Sequence, residues 1–269
     1  MAVSARIFAL VASLTTTASA APPAALASAL EYLREQKSYS WEVINADPGP
    51  VAQNFETRRG TVTTVQRNTS PNLKGQIDRN GDMLIQREWS DGSRLETFIA
   101  ADSTMITLTP EGWMTDREIL TAQAEERLRS EAQNPRATWL RRADRPSIRR
   151  PDQELVPFLQ AKEQFEVNGD SYVIRLSRRG ESAAGANEET GEPSTNVTLT
   201  INLRGGLVRD YEVKIETTQR SSRARIAIPV SEQRIVVLTY VPVTRIDLPD
   251  DARRKLVQAR TTTQGKRAR

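Results

Sequence analysis

The chain contains no histidine and no cysteine. The first absence removes the usual general base near neutral pH and the commonest metal ligand, and with them Ser-His-Asp catalysis and nearly every transition-metal site. The second removes disulfides, thiolate metal sites and thiol nucleophiles. An enzyme built from this chain is left with paired carboxylates of the glycosidase kind or a Ser-Lys pair. Aromatics make up 5% of the residues, hydrophobics 38%, and the mean hydropathy is −0.54. That is thin for one deep core. It suits sheets with a wet face better than a doubly wound α/β protein, whose central strands read as continuous apolar runs. After the N-terminal segment no run is apolar enough to span a bilayer, which takes roughly 20 residues.

What is present begins with "MAVSARIFALVASLTTTASA". Arg6 gives a short basic start, Ile7 to Leu14 an apolar run, and Ala18-Ser19-Ala20 a small-residue cleavage pattern. This predicts a bacterial signal peptide over 1–20, cleaved after Ala20, and a periplasmic or secreted product. With no cysteine at the cleavage point, no lipoprotein anchor is expected. The 38 basic and 34 acidic residues leave a net charge of only +4, so the surface is densely charged without being a nucleic-acid face.

Residues Ala24–Gln36 carry Leu26, Leu30 and Leu33 on one helical stripe. At "KSYSWEV" the period changes to two, with Tyr39, Trp41 and Val43 facing one way. Hairpins follow. Asn80-Gly81 is the strongest two-residue turn signal, Asn168-Gly169 repeats it, and Arg204-Gly205-Gly206 turns between "NVTLTINL" and "LVRDYEVKIE". Strands joined by such tight turns must be antiparallel neighbours. Thr115-Asp116-Arg117-Glu118 is a capping box opening a mid-chain helix with Ile119, Leu120, Ala124 and Leu128 on its stripe. Trp113, just before that box, is expected beneath this helix. An Arg-rich stretch follows, then a short helical segment capped by Asp152. Residues 178–195 read as a mobile loop within a single domain over 21–257. "RIDLPDDARRKLVQ" reads as a closing strand and short helix, and 258–269 as a disordered basic tail.

The fold class predicted is mainly β (α+β): a curved antiparallel half-barrel of about ten or eleven strands, with helices covering the concave face. The order of elements, from "KSYSWEV" through "DGSRLETFIAADSTMITLTPEGWMT" to "LRGGLVRDYEVKI" and "VTRIDLPDDARRKL", resembles the LolA/LppX-like exported carriers of lipoproteins and lipids. That group includes periplasmic stress-sensor domains of the RseB type. The resemblance implies an apolar concave cavity that holds acyl chains in some members. It supplies no catalytic motif.

Trp41, Val43, Val62, Leu84, Trp89, Phe98, Met105, Ile106 and Trp113 are the candidate lining of such a cavity; the same residues could instead fill a dry core. Arg141, Arg142, Arg149 and Arg150 are candidates for contact with an anionic surface, with solvated loop charge as the plain alternative. Asp78, Glu88 and Glu96 alternate with apolar residues as solvent-facing positions do. The expected function is non-covalent binding of a hydrophobic ligand, an acyl chain or lipoprotein lipid. No catalytic residue, metal or cofactor is expected. The alternative is a periplasmic interaction or envelope-stress sensor module with a filled core, an Arg-rich working surface and an envelope protein as partner. A histidine-free hydrolase using paired carboxylates is a third reading.

Overall fold

Tight turns set the architecture. In this computed structural model, residues 22–46, 51–57, 60–66, 70–129, 135–143, 150–155, 165–179, 194–220 and 227–267 are described. Helix α1 (Ala24–Glu35) leads into β1 (Tyr39–Ala46). A ribbon of β2 (Val51–Thr57) and β3 (Gly60–Gln66) follows. Then come β4 (Asn72–Ile77), β5 (Met83–Glu88), β6 (Arg94–Ile99), β7 (Met105–Thr109) and β8 (Gly112–Thr115). Helices α2 (Asp116–Arg129), α3 (Pro135–Arg142) and α4 (Pro151–Leu155) form the middle of the chain. Strands β9 (Glu166–Asn168), β10 (Ser171–Arg179), β11 (Ser194–Arg204), β12 (Leu207–Arg220) and β13 (Ala227–Thr239) precede helix α5 (Asp250–Arg267).

The main sheet has eleven antiparallel strands in the order β8-β7-β6-β5-β4-β1-β13-β12-β11-β10-β9 and does not close. The half-barrel expectation therefore holds. Each half of the chain is a meander, and the pairing of β1 with β13 joins the two halves through registers such as Val43 with Val236. Gly205 (φ 59°) and Gly206 (φ 78°) form the two-residue β11–β12 turn, with both residues in the left-handed conformation that such a turn demands. The β2–β3 ribbon is a separate two-stranded sheet rather than part of the meander.

Registers assign each side chain to a face, because residues directly opposite share one. Tyr39, Trp41 and Val43 share an inner face with Leu73, Ile85, Tyr211, Val236 and Leu238. Helix α1 lays Leu26, Leu30 and Leu33, all fully buried, against this face, and Leu155 of α4 joins the same core. The predicted alternation in β11 and β12 is borne out: Leu199, Ile201, Tyr211 and Val213 are buried there.

At the β5–β8 end both faces are covered. Leu95 packs on the inner side with Trp89, Ile119 and Ala143, under α2 and α3. Phe98, Ile106 and Trp113 point to the outer side and pack with Leu248, Ala252 and Leu256 of α5. Trp113 thus lies beneath the C-terminal helix and not beneath α2. The two helices meet around edge strand β8, where Lys255 Nζ donates to Glu118 Oε1 at 2.6 Å. Glu118 also closes the expected capping box, accepting from the Thr115 amide at 2.8 Å. An edge wrapped in this way is not free to pair with another chain.

Several predicted boundaries move. On α2 the buried positions are Ile119, Ala122 and Glu126, while Leu120 is 59% exposed and Ala124 is exposed, so the buried stripe is rotated from the predicted one. Strand β10 runs to Arg179 and β11 starts at Ser194, so both strands extend into the predicted loop. The predicted closing strand, which holds Ile246 and Leu248, is not a strand: Pro242 and Pro249 bracket the segment and offer no N–H to a ladder. Helix α5 continues to Arg267, past the predicted tail boundary and through Thr261-Thr262-Thr263 and Gly265, with basic residues towards its C-terminal end, where they suit the helix dipole.

Gly75 is the tightest point of the inner face. A Cβ built there would lie 2.2 Å from the indole of Trp41, so the ring rests directly on the glycine backbone. Gly75→Ala is expected to cost about 2–3 kcal/mol in urea unfolding, an overpacking penalty. A double-mutant cycle with Trp41→Leu should remove most of that cost.

Candidate functional site

Two polar groups break the apolar inner face: Arg87, Thr97 and Thr107, buried and hydrogen-bonded in a row across β5–β7, and a larger cluster where α4 meets the sheet. There the chain brings two tyrosines, two carboxylates and two arginines together. Tyr39, the first residue of β1, donates its hydroxyl to Asp152 Oδ1 at 2.6 Å. Arg150 Nε donates to the same oxygen at 3.0 Å, and its Nη2 to Oδ2. Two residues on, Tyr211 of β12 donates to Glu154 Oε2 at 2.7 Å, while Arg234 of β13 donates to Glu154 Oε1. A five-residue helix is thus pinned to strands at the centre of the sheet by two tyrosine–carboxylate–arginine clasps.

The electrostatics follow from this geometry. Burial pushes the Asp152 carboxyl up, but hydrogen bonds from Arg150 and Tyr39 outweigh it and hold the group below the usual carboxylate range. Burial pushes the Tyr39 phenol far above its ordinary value, and the hydrogen bond to Asp152 adds to the shift. Tyr211 is raised in the same way by burial and the Glu154 charge. At neutral pH the clasps therefore hold neutral phenols against an ionised Asp152. Such charge-assisted bonds contribute about 1.5–3 kcal/mol each. Asp152 sits in the first turn of α4 and spends its carboxylate on Tyr39 and Arg150 rather than on a helix cap.

Two donors on this face meet no acceptor among the described residues: Trp41 Nε1 and Arg234 Nε are both buried and unpartnered. Trp41 as a whole is 3% exposed.

The structure divides the predicted cavity residues. Trp41 and Val43 lie in the main inner-face core, and Met105 is buried on the same face in β7. Trp89 belongs to the α2–α3 cluster. Leu84, Phe98, Ile106 and Trp113 are on the outer face against α5. Val62 is in β3, and its side chain lies outside the described residues. These residues therefore do not converge on one cavity. Two depressions, of about 730 and 300 Å³, share Glu42, Lys74 and Gln86 and are lined by polar and apolar groups together.

The predicted basic residues are divided as well. Arg142 stacks on Trp89, its Cζ 4.9 Å from the ring centroid, and donates to Asp91 Oδ2 at 2.8 Å. Hydrogen bonds from Ser93, joined by Arg142, bring the Asp91 carboxyl down to about 2. Arg150 belongs to the clasp. Arg141 is exposed, and Arg149 lies outside the described residues. Asp78, expected at a solvent-facing position, is fully buried. Its carboxylate organises the Asn80-Gly81 turn, accepting from the amides of Asn80 and Asp82 and, from far along the chain, of Ile246.

Sequence reasoning missed Tyr39–Asp152 and Tyr211–Glu154 as partners. The available signal was two acidic residues in "PDQEL" two positions apart and a tyrosine on the apolar stripe of each of two strands.

Among the described residues no group of acidic side chains is arranged to hold a metal ion, and no helix is long and apolar enough to cross a membrane. Compared with known proteins, the chain matches no family model and no curated protein. Fold and site define it as a mainly β protein with an open eleven-stranded antiparallel sheet, its apolar inner face closed by short helices.

The depressed carboxyl fixes a pH dependence. Folded Asp152 binds its proton less readily than the unfolded residue, whose pKa is about 3.9. Its contribution is thus present above that value and lost as pH falls through the lower folded one. Asp152→Asn should destabilise the protein by about 3 kcal/mol at pH 7. The difference from wild type should close as urea melts are repeated below about pH 4. The raised phenols act in the opposite sense: their contribution is full below about pH 10 and lost above it. Alkaline unfolding should therefore be shallower in Tyr39→Phe/Tyr211→Phe than in wild type.

Proposed function

We propose that this protein is an exported carrier that holds a hydrophobic ligand, an acyl chain or lipoprotein lipid, between its inner sheet face and the helices covering it, without covalent chemistry. The observation that carries this reading is the manner of the cover. An apolar face running over β1, β4, β5 and β10–β13 is covered by the leucines of α1 and, beside them, by a five-residue helix that buries Pro151 and Leu155 and is otherwise tied down by polar contacts. Apolar surface hidden under a polar-tethered lid can be uncovered without dismantling the sheet. Burial of an acyl chain at about 0.8 kcal/mol per CH₂ then gives useful affinity with no specific motif. The signal sequence over 1–20 and the resemblance to exported lipid carriers support the same reading, with a periplasmic or secreted location.

The alternative is an interaction or sensor module with a filled core and an envelope protein as partner. It is favoured by the complete burial of Leu26, Leu30 and Leu33 of α1 and by the division of the predicted cavity residues among separate clusters. Native mass spectrometry of the protein purified from its own host, followed by organic extraction, separates the two. A co-purifying lipid, or uptake of a fluorescent fatty acid, is the result expected of the carrier. Protein that is ligand-free and takes up no such probe contradicts it.

A further inference from the structure

Arg234 ends the apolar row that β13 gives to the inner face: Val236 and Leu238 follow it, Glu232 precedes it on the same face, and Val213 of β12 and Asn45 of β1 stand opposite it. Its side chain is 38% exposed, so the guanidinium stands at the rim of the apolar surface. Its Nη2 is matched by a carboxylate, but that carboxylate belongs to the lid, Glu154 of α4. Its Nε is buried and meets no acceptor among the described residues, and the same holds for the Trp41 Nε1–H on the neighbouring strand. Both unsatisfied groups are donors. A hydrocarbon chain entering this face would leave them so, at a cost of about 1–3 kcal/mol for each. A ligand bearing an anionic acceptor at one end would relieve the cost at Arg234.

The geometry points to Arg234 as the headgroup seat of the inner face, with Glu154 as the protein's own carboxylate in that seat. An amphiphile with an anionic head, carboxylate or phosphate, binds by taking Arg234 from Glu154. The exchange unfastens one of the two clasps on α4 while the acyl chain takes up the apolar surface beneath. A guanidinium accepts either head by parallel N–H···O bonds, so Glu154 is a stand-in of the right charge and shape. Tyr211, which donates to Glu154 Oε2, gives the displaced carboxylate a remaining partner. The inference rests on the carrier reading and adds to it a class of ligand: acidic amphiphiles over neutral or cationic ones of equal chain length.

The test is displacement of an uncharged fluorescent naphthylamine from the full chain by decanoate, methyl decanoate and lyso-phosphatidylglycerol. Wild type should prefer decanoate to its methyl ester by about tenfold, the scale of one charge-assisted contact. Glu154→Gln frees the guanidinium and loosens the clasp, so both ligands gain, and the preference for decanoate over its ester should widen about tenfold further. Glu154→Gln/Arg234→Gln, which leaves no buried charge unpaired, should bind acid and ester alike. A wild-type circular dichroism spectrum and a cooperative urea melt show that the fold of this double variant is intact. Stronger displacement by the lyso-phospholipid identifies the head as phosphate, and stronger displacement by decanoate as carboxylate. Probe uptake with no preference for the acid in wild type and Glu154→Gln overturns this inference alone. Failure of wild type to take up the probe overturns the carrier reading beneath it.

Discussion

An open antiparallel sheet with one apolar face has to be covered, and here α1 covers it with leucines while the short helix beside it, α4, is attached by hydroxyl groups. Tyr39 and Tyr211 stand in the apolar rows of their strands, bury their rings with the core, and extend their oxygens to Asp152 and Glu154. Each carboxylate is balanced by an arginine, so no bare charge is buried. The arrangement lets a helix too short to be stable alone hold a fixed place over the sheet. It also makes that place conditional. Polar contacts can be exchanged for others of the same kind, whereas a layer of interlocking leucines cannot.

The rest of the molecule is arranged so that the remaining sheet does not depend on this lid. At the β5–β8 end the inner side is closed by α2 and α3 and the outer side by α5. Trp89 is held between the guanidinia of Arg87 and Arg142, and Lys255 bridges α5 to the α2 cap at the sheet edge. Arg260 ties α5 to Asp102 in the β6–β7 turn. A rigid, doubly covered end beside a singly covered centre is a sensible division for a protein proposed to open at the centre.

The elements whose causes are local were legible in the sequence. Asn80-Gly81 and Gly205-Gly206 could only be turns. The two-residue alternation of β11 and β12 assigned their faces, and Thr115 with Glu118 fixed the start of α2. What could not be read was which helix covers which face. Phe98 and Leu95 lie on opposite sides of β6, and both are buried, so period alone does not show that α5 arrives from the chain's far end to cover Phe98. Asp78 looked like an ordinary strand-end carboxylate because one of its partners, the Ile246 amide, is 168 residues away. The clasp was hidden for the same reason, with 113 residues between Tyr39 and Asp152. Arg142 read as free surface charge because Asp91, which takes it up, is 51 residues away; Arg150 pairs with Asp152 only two residues on, a local partner that a stretch crowded with arginines does not single out.

The central claim is that the inner face is closed by a lid that opens separately from the sheet. Native-state amide hydrogen exchange across α4, β1, β12 and β13 measures this directly. The account predicts that α4 amides exchange through an opening of lower free energy than the strand amides, and that Asp152→Asn speeds exchange in α4 while leaving that of β12 and β13 near wild type. Exchange of α4 and the central strands together, in one global event unaffected in its order by the substitution, would contradict it.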